Sequence, residues 1–228
     1  MTDYNYDSFS PDNYDLKSAD GPEIDQKAPD FELETYDGQI QRLLDFDGEC
    51  LVLELGSMTC PLFLTRHDSM LKIAKDYPNA SHAVLYVREA HPGADIPAHK
   101  TMDDKKECAS LLKSEFDDPR TIFVDGVEGH AHLAYGSMPN AIYIIDKEGI
   151  VRFKAPWNNS STTRKALDAV LDGKSASFKS YFKPAKPWVV LSTAKRAGKG
   201  SGKDFFHGLP RLIWNVLIKN NLRTFFNS

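Results

Sequence analysis

The sequence predicts an α/β protein: a central mixed β-sheet flanked by helices, with a β-hairpin ahead of it and a helical extension behind. Three observations predict this. Residues 50–55 form a nearly continuous apolar run, the pattern of a strand covered on both faces. Strand-like and helix-like patterns then alternate along the chain, and the alternation closes on two adjacent strands and a helix.

In chain order, Ala28-Pro29-Asp30-Phe31-Glu32-Leu33-Glu34 alternates apolar and polar side chains, Tyr36-Asp37-Gly38 reads as a turn, and residues 40–44 complete a hairpin. The 50–55 strand ends at Gly56. Phe63, Met70, Leu71, Ala74 and Tyr77 mark one face of a helix that starts near Pro61, a residue suited to a first helical turn, and stops before Pro78. Residues 83–87 form the next strand and a loop runs to about Thr101. Residues 102–113 form a second helix with Asp103 and Asp104 in its first turn, where the helix dipole favours acids. Residues 121–124 are a third strand. Residues 141–145 and 150–153 are two more, joined by Asp146-Lys147-Glu148-Gly149, and residues 162–171 form the closing helix. This order is the thioredoxin-like plan.

The two ends differ in charge. The 228 residues carry a net charge of −4, yet residues 1–37 hold eleven acids against two lysines, and residues 174–228 hold eleven bases against Asp204 alone. Four segments follow: an acidic, loosely ordered arm (1–27), a catalytic domain (28–173), a basic Pro/Gly-containing linker (174–204) and a basic amphipathic helical segment (205–228). In the last, Leu212, Ile213, Val216, Leu217 and Leu222 interleave with Arg211, Lys219 and Arg223. Residues 209–226 could dock on their own domain, on a second subunit in a homodimer, or peripherally on a membrane. The start of the chain has neither a basic stretch nor an apolar one, so no secretory signal is expected, and no run is long enough to span a bilayer. With three cysteines and no disulfide framework, the cytoplasm is the expected compartment. No nucleic-acid partner is expected.

The chemistry is expected at Cys60, in Gly56-Ser57-Met58-Thr59-Cys60-Pro61, where a strand turns into the first turn of a helix. Unpaired amides and the helix dipole at such a position favour a thiolate. Glu89 and His91 follow another strand end on the same edge of the sheet; a histidine exchanges protons near neutral pH, and a carboxylate two residues earlier can hold its tautomer. His99 is a second candidate on the same loop. Cys50 and Cys108 read as structural. Glu128, His130 and His132 lack the paired spacing of a metal site, so no metal or cofactor is expected. Phosphate loops, serine elbows and nucleotide fingerprints are absent.

Gly56 through Pro61, then Tyr86 with Glu89-Ala90-His91-Pro92, Ile96-Pro97-Ala98-His99 and Ala134-Tyr135-Gly136, resemble in order and spacing the catalytic domain of the iodothyronine deiodinases. The resemblance spans roughly residues 28–171. It implies a thioredoxin fold with a peroxiredoxin-like hairpin, and an oxidoreductase of the thyroxine 5′-deiodinase class. Cys60 matches the family's selenocysteine, while Glu89, His91 and His99 match its proton-relay and substrate-contacting residues. Three features depart from the family: cysteine replaces selenocysteine, Met58 replaces the accessory cysteine, and residues 137–141 lack the arginine that helps clamp the iodothyronine. Met138-Pro139 resembles the proline before the last long strand of thioredoxin-like proteins, where a cis peptide lies beside the thiol. Ser57 resembles the hydroxyl that peroxiredoxins place near theirs, and Ser57 and Thr59 join Cys60, Glu89, His91 and His99 as candidate catalytic residues.

The favoured expectation is reductive dehalogenation of an aromatic substrate by a Cys60 thiolate. His91 donates the proton, Glu89 orients it, His99 assists, and an external thiol reductant restores Cys60, with Cys108 or Cys50 as internal resolvers. The rivals are a one-cysteine peroxidase acting on peroxide, and a non-catalytic redox-sensing or partner-binding domain.

Overall fold

The computed structural model describes residues 4–14, 20–203 and 213–226. Seven strands form one mixed sheet: β1 (Glu32–Thr35), β2 (Ile40–Arg42), β3 (Cys50–Gly56), β4 (Ser81–Tyr86), β5 (Thr121–Val124), β6 (Ile142–Asp146) and β7 (Val151–Ala155), in the order β2-β1-β5-β4-β3-β6-β7. β3 pairs in parallel with β4, and β4 with β5, while β6 and β7 continue antiparallel beside β3. The β1–β2 hairpin joins the sheet through β5.

The period-two alternation of β3 divides its side chains between two cores. Leu51, Leu53 and Leu55 face a core shared with Leu85, Phe123, Tyr143 and Ile145. Cys50 and Val52 face the opposite side, covered by α1 (Pro61–Asp76), α2 (Met102–Phe116) and α4 (Ser160–Leu171). Burying a β3 residue such as Leu53 or Val52 contributes about 1.5–3 kcal/mol, which fixes the register that places the end of β3 against α1.

Glu54, in the middle of this run, is fully buried. Its carboxylate accepts from Arg120 (2.7 Å), Asn140 (3.3 Å) and Asn158 (2.6 Å). Arg120 also grips Asp118, which His67 approaches to 3.0 Å. The Asp118 carboxyl is buried, yet His67 and Arg120 hold it well below the usual carboxylate range.

Two helices have no periodic signal of their own. α3 (His130–Ala134) is five residues long, too short for a periodic face. α5 (Pro187–Ala197) lies inside the stretch read as linker; Pro187 opens it, and its buried Thr193 and Ala197 set it on the protein. Amides of the 94–96 loop donate to the carbonyls of Ala197 and Lys199 just beyond it. Ile213–Asn220 is π-helical and Asn221–Phe226 α-helical, with Asn221 bonding both backbone groups of Phe182. Residues 205–212 lie outside the described residues, Arg211 and Leu212 among them, as do the side chains of Ile213, Val216 and Arg223. Among the described residues, no helix is long and apolar enough to cross a membrane.

The Ala134-Tyr135-Gly136 block is a structural anchor. Tyr135 donates its hydroxyl to the Pro29 carbonyl (2.7 Å) and accepts the Tyr143 hydroxyl on its own carbonyl (2.8 Å). Gly136 has φ +86°, and a Cβ there would lie 1.8 Å from the Asp20 carbonyl oxygen. Gly136→Ala is therefore expected to cost about 2 kcal/mol or more, from left-handed strain plus the displaced 20–21 segment. A shifted urea midpoint measures this; an unchanged midpoint contradicts the close approach. No cis peptide bond occurs among the described residues, so the expected cis bond before Pro139 is corrected to trans.

Candidate active site

The end of β3 positions Cys60. The chain leaves the sheet at Gly56, where any Cβ would fall 2.2 Å from the Phe63 ring, so only glycine lets the start of α1 fold back this closely. The Cys60 amide donates to the Ser57 carbonyl (3.1 Å), and the Cys60 carbonyl accepts from Leu64 (3.1 Å) as the helix begins at Pro61. Cys60 is the N-cap residue of α1, and it is buried.

Because β4 runs parallel to β3, Tyr86 lies opposite Gly56 and the next residues emerge at the same end of the sheet. Buried Glu89 ties them to the Cys60 turn. Its Oε2 accepts the Thr59 amide (2.9 Å) and the Thr59 hydroxyl (2.6 Å); its Oε1 accepts the Tyr86 hydroxyl and lies 3.2 Å from His99 Nε2. The Tyr86 hydroxyl oxygen also receives the Met58 amide (3.1 Å), the Thr59 hydroxyl oxygen the His91 amide (3.0 Å), and the Ser57 hydroxyl oxygen the Ala90 amide (3.3 Å). The predicted residues thus converge on one end of the sheet. The histidine paired with Glu89, however, is His99.

Burial dominates the electrostatics. Desolvation pushes the Cys60 thiol up to about 11, although the Phe63 and Leu62 amides and the Arg66 guanidinium favour the thiolate. The activation expected from the helix terminus is therefore outweighed in this conformation. Burial raises the Glu89 carboxyl too, but His99, Thr59 and Tyr86 together hold it below its ordinary value. His91 is brought down to about 3 by burial, with Glu89 opposing, and so is neutral at neutral pH.

Residues 4–14, expected to be loosely ordered, lie over this site. The Phe9 ring packs on His91 with centroids 4.1 Å apart. Tyr6 and Tyr14 share a 2.7 Å hydroxyl contact, and Tyr6 donates to the Ala90 carbonyl (3.0 Å). Arg88 donates to the carbonyls of Tyr4 (2.6 Å) and Asn13 (2.8 Å), and its guanidinium lies 4.7–5.0 Å from the Tyr4, Tyr6 and Tyr14 ring centres. Gly129, at φ +72°, leaves room for the Tyr4 ring, which would otherwise lie 2.1 Å from a Cβ. Between this segment and the 98–100 loop is a cavity of about 500 Å³ that includes Tyr6, Asn13 and His99 in its wall. Sequence reasoning missed Arg88 and these aromatics. The one available signal was the density of Tyr and Phe in an otherwise polar arm.

The other cysteines differ in place. Cys50 is six residues from Gly56 along β3, about 20 Å at strand rise, with the Glu54–Arg120 cluster between. Cys108 packs beside the core that holds Cys60. Both thiols are pushed up to about 12, chiefly by burial. His132 bonds the Tyr4 hydroxyl (2.8 Å) and the Met138 carbonyl (3.0 Å), so both ring nitrogens are used structurally. Among the described residues, Glu89, His99 and Cys108 could hold a metal, their ligand atoms lying within 4.8 Å of one another. The Glu89 oxygens already hold Thr59, Tyr86 and His99.

Comparison with known proteins agrees with this geometry. A family model described as iodothyronine deiodinase matches residues 10–170. The chain is 30% identical to a thyroxine 5-deiodinase of Gallus gallus over 141 residues, 56% of this chain and 54% of that one. It is 28% identical to that of Ovis aries over 137 residues, 54% and 47% of the two chains. The match spans about half the length of these relatives. Among solved structures, an uncharacterized conserved protein from Geobacillus kaustophilus superposes with TM-score 0.58 at 21% identity, over 72% of this chain and 94% of that one. A putative thiol:disulfide interchange protein DsbE from Chlorobium tepidum superposes with TM-score 0.52 at 17% identity, over 67% and 98%. The fold is thioredoxin-like.

Proposed function

The chain belongs to the iodothyronine deiodinase family, and from that premise we propose that it is a thiol oxidoreductase that removes halogen reductively from an aromatic ring. The observation that carries this reading is the buried chain from Thr59, next to Cys60, through Glu89 to His99 in the cavity wall. A thiolate that takes iodine from an aryl carbon leaves a carbanion needing one proton, and this network fixes the Cys60 turn and the His91 backbone at one end of the sheet, where a donor can supply it.

In the proposed cycle the Cys60 thiolate attacks iodine, an S–I bond forms and the C–I bond breaks. The electron pair stays on the ring carbon, which takes a proton. His91, neutral and tied by its backbone amide to the Thr59 hydroxyl oxygen, donates it through its ring N–H, and a proton from solvent restores the ring. One external thiol then attacks the sulfenyl iodide sulfur and releases iodide; a second resolves the mixed disulfide and restores Cys60. The carboxylate of Glu89 holds both the turn and His99, so Glu89→Gln should lower kcat about 10²-fold.

Iodide release from iodinated phenols and from thyronines iodinated on either ring, with a dithiol reductant, tests the reading and the ring position. The relatives are named for the 5 position, whereas the resemblance implied the 5′ class. Wild-type protein is expected to release iodide, and Cys60→Ser to fall to the protein-free rate. Equal release by both overturns the proposal. Rapid loss of one thiol per chain to peroxide, with iodophenols untouched, would assign the peroxidase reading instead.

A further inference from the structure

We propose that residues 4–14 are an internal occupant of the aromatic-ring cleft over Cys60, so that the resting site is closed and a phenolic substrate enters by displacing Phe9, Tyr6 and Tyr14. The ligand class rests on the reading of the site given above; the closure does not.

The geometry argues for a specific occupant. Phe9 is buried and its ring packs tilted on that of His91, with centroids 4.1 Å apart, the place an aromatic substrate would need at the proton donor. Tyr6 and Tyr14 bring a hydrogen-bonded pair of phenol hydroxyls to the same mouth, with Tyr6 bonded to the carbonyl of Ala90, the residue before His91. A tyrosine side chain is itself a para-substituted phenol, so a cleft that accepts two of them accepts that chemistry from outside. Tyr4 is anchored through its hydroxyl to His132 and the Arg88 amide, and beyond it the segment is held by few groups. Arg88 bonds two of its carbonyls and lies over three of its rings, Asn5 donates to the Val127 carbonyl (2.9 Å), and Tyr6 holds Ala90. These contacts sit at the edge of the fold and leave the two cores intact, so the segment can lift without unfolding the sheet. The state of the thiol agrees: burial keeps it protonated, and water reaching an uncovered Cys60 leaves the Leu62 and Phe63 amides and Arg66 to favour the thiolate.

The test is alkylation of Cys60 by iodoacetamide in the full chain, followed by peptide mass mapping, with Cys50 as internal reference for global opening. Phe9→Ala and, separately, Arg88→Met are expected to raise the Cys60 rate at least tenfold with the Cys50 rate unchanged. Rates equal to wild type in a folded variant overturn the closure, and Arg88→Met decides the matter if Phe9→Ala fails to fold. The halogen-free phenol 4-phenoxyphenol is then added as a protecting ligand. It should protect Cys60 in Phe9→Ala at a concentration at least tenfold lower than in wild type, because the internal competitor is gone. Equal concentrations, or no protection in either protein, overturn the shared cleft. Neither readout depends on iodide release, so failure of the dehalogenation reading is seen separately.

Discussion

Arg120→Met is expected to destabilise the protein by about 3–5 kcal/mol, a large part of the roughly 5–15 kcal/mol that holds an ordinary domain together. Arg120 is buried between two carboxylates, 2.7 Å from Glu54 and 2.7 Å from Asp118. Methionine fills similar space but leaves both acids without their cation. Asn140 and Asn158 remain as donors to Glu54, and His67 as the neighbour of Asp118. A buried carboxylate without a counter-charge must either stay ionised in an apolar medium or take up a proton, and both raise the energy of the folded state. The measurement is the urea midpoint and slope. Glu54→Gln in the Arg120→Met background should recover part of the loss, because the amide is neutral and still accepts from Asn140 and Asn158. A loss below about 1 kcal/mol for Arg120→Met would show that these charges are solvated.

Acid should weaken the fold well before the carboxylates titrate. His91 and His132 are each brought down to about 3 from an ordinary 6.5, first by burial. For His132 the hydrogen bonds give the reason. Nε2 faces the Met138 carbonyl and must carry the proton, so Nδ1 accepts from the Tyr4 hydroxyl, and a second proton would face that contact and the charges of Arg88 and Lys105. Since the folded values are depressed, the stabilisation is full above the unfolded value near 6.5 and is lost as pH falls toward 3. Below 6.5 the unfolded chain binds protons that the native state excludes. Each histidine then costs about 1.4 kcal/mol per pH unit, about 4 kcal/mol for the two between pH 6.5 and 5. Urea unfolding at pH 7 and pH 5 measures the difference, and His132→Gln should remove about half of it. A flat profile over this range would mean that the rings are solvated.

The legible parts of the fold were those whose signal is local. β3 was read from its apolar run, α1 from its spacing and Pro61, and α2 from its acidic first turn, which forms a capping box with Thr101. α3 is shorter than one helical repeat pattern, and α5 sits between proline-rich and glycine-rich flanks, so neither had a periodic signal of its own. Glu54 read as part of an apolar strand because its three partners come from positions 66, 86 and 104 residues away. Cys60, Glu89 and His99 were each recognisable by type and by their place at strand ends, but the pairing of Glu89 with Thr59 and His99 was not.

The sequence alone determined the order of the strands and of α1, α2 and α4 among them, the position of Cys60 at a strand-to-helix turn, and the resemblance that joins it to Glu89, His91 and His99. These follow from neighbours within a few residues, where propensity and spacing act. Tertiary structure alone decided the state of the site. Packing over Cys60 raises its thiol where the helix terminus by itself would lower it, Glu89 is committed to His99, and Phe9 lies on His91. Desolvation and hydrogen bonding depend on every group that reaches a point in space, and these groups come from distant parts of the chain, so no local pattern contains them.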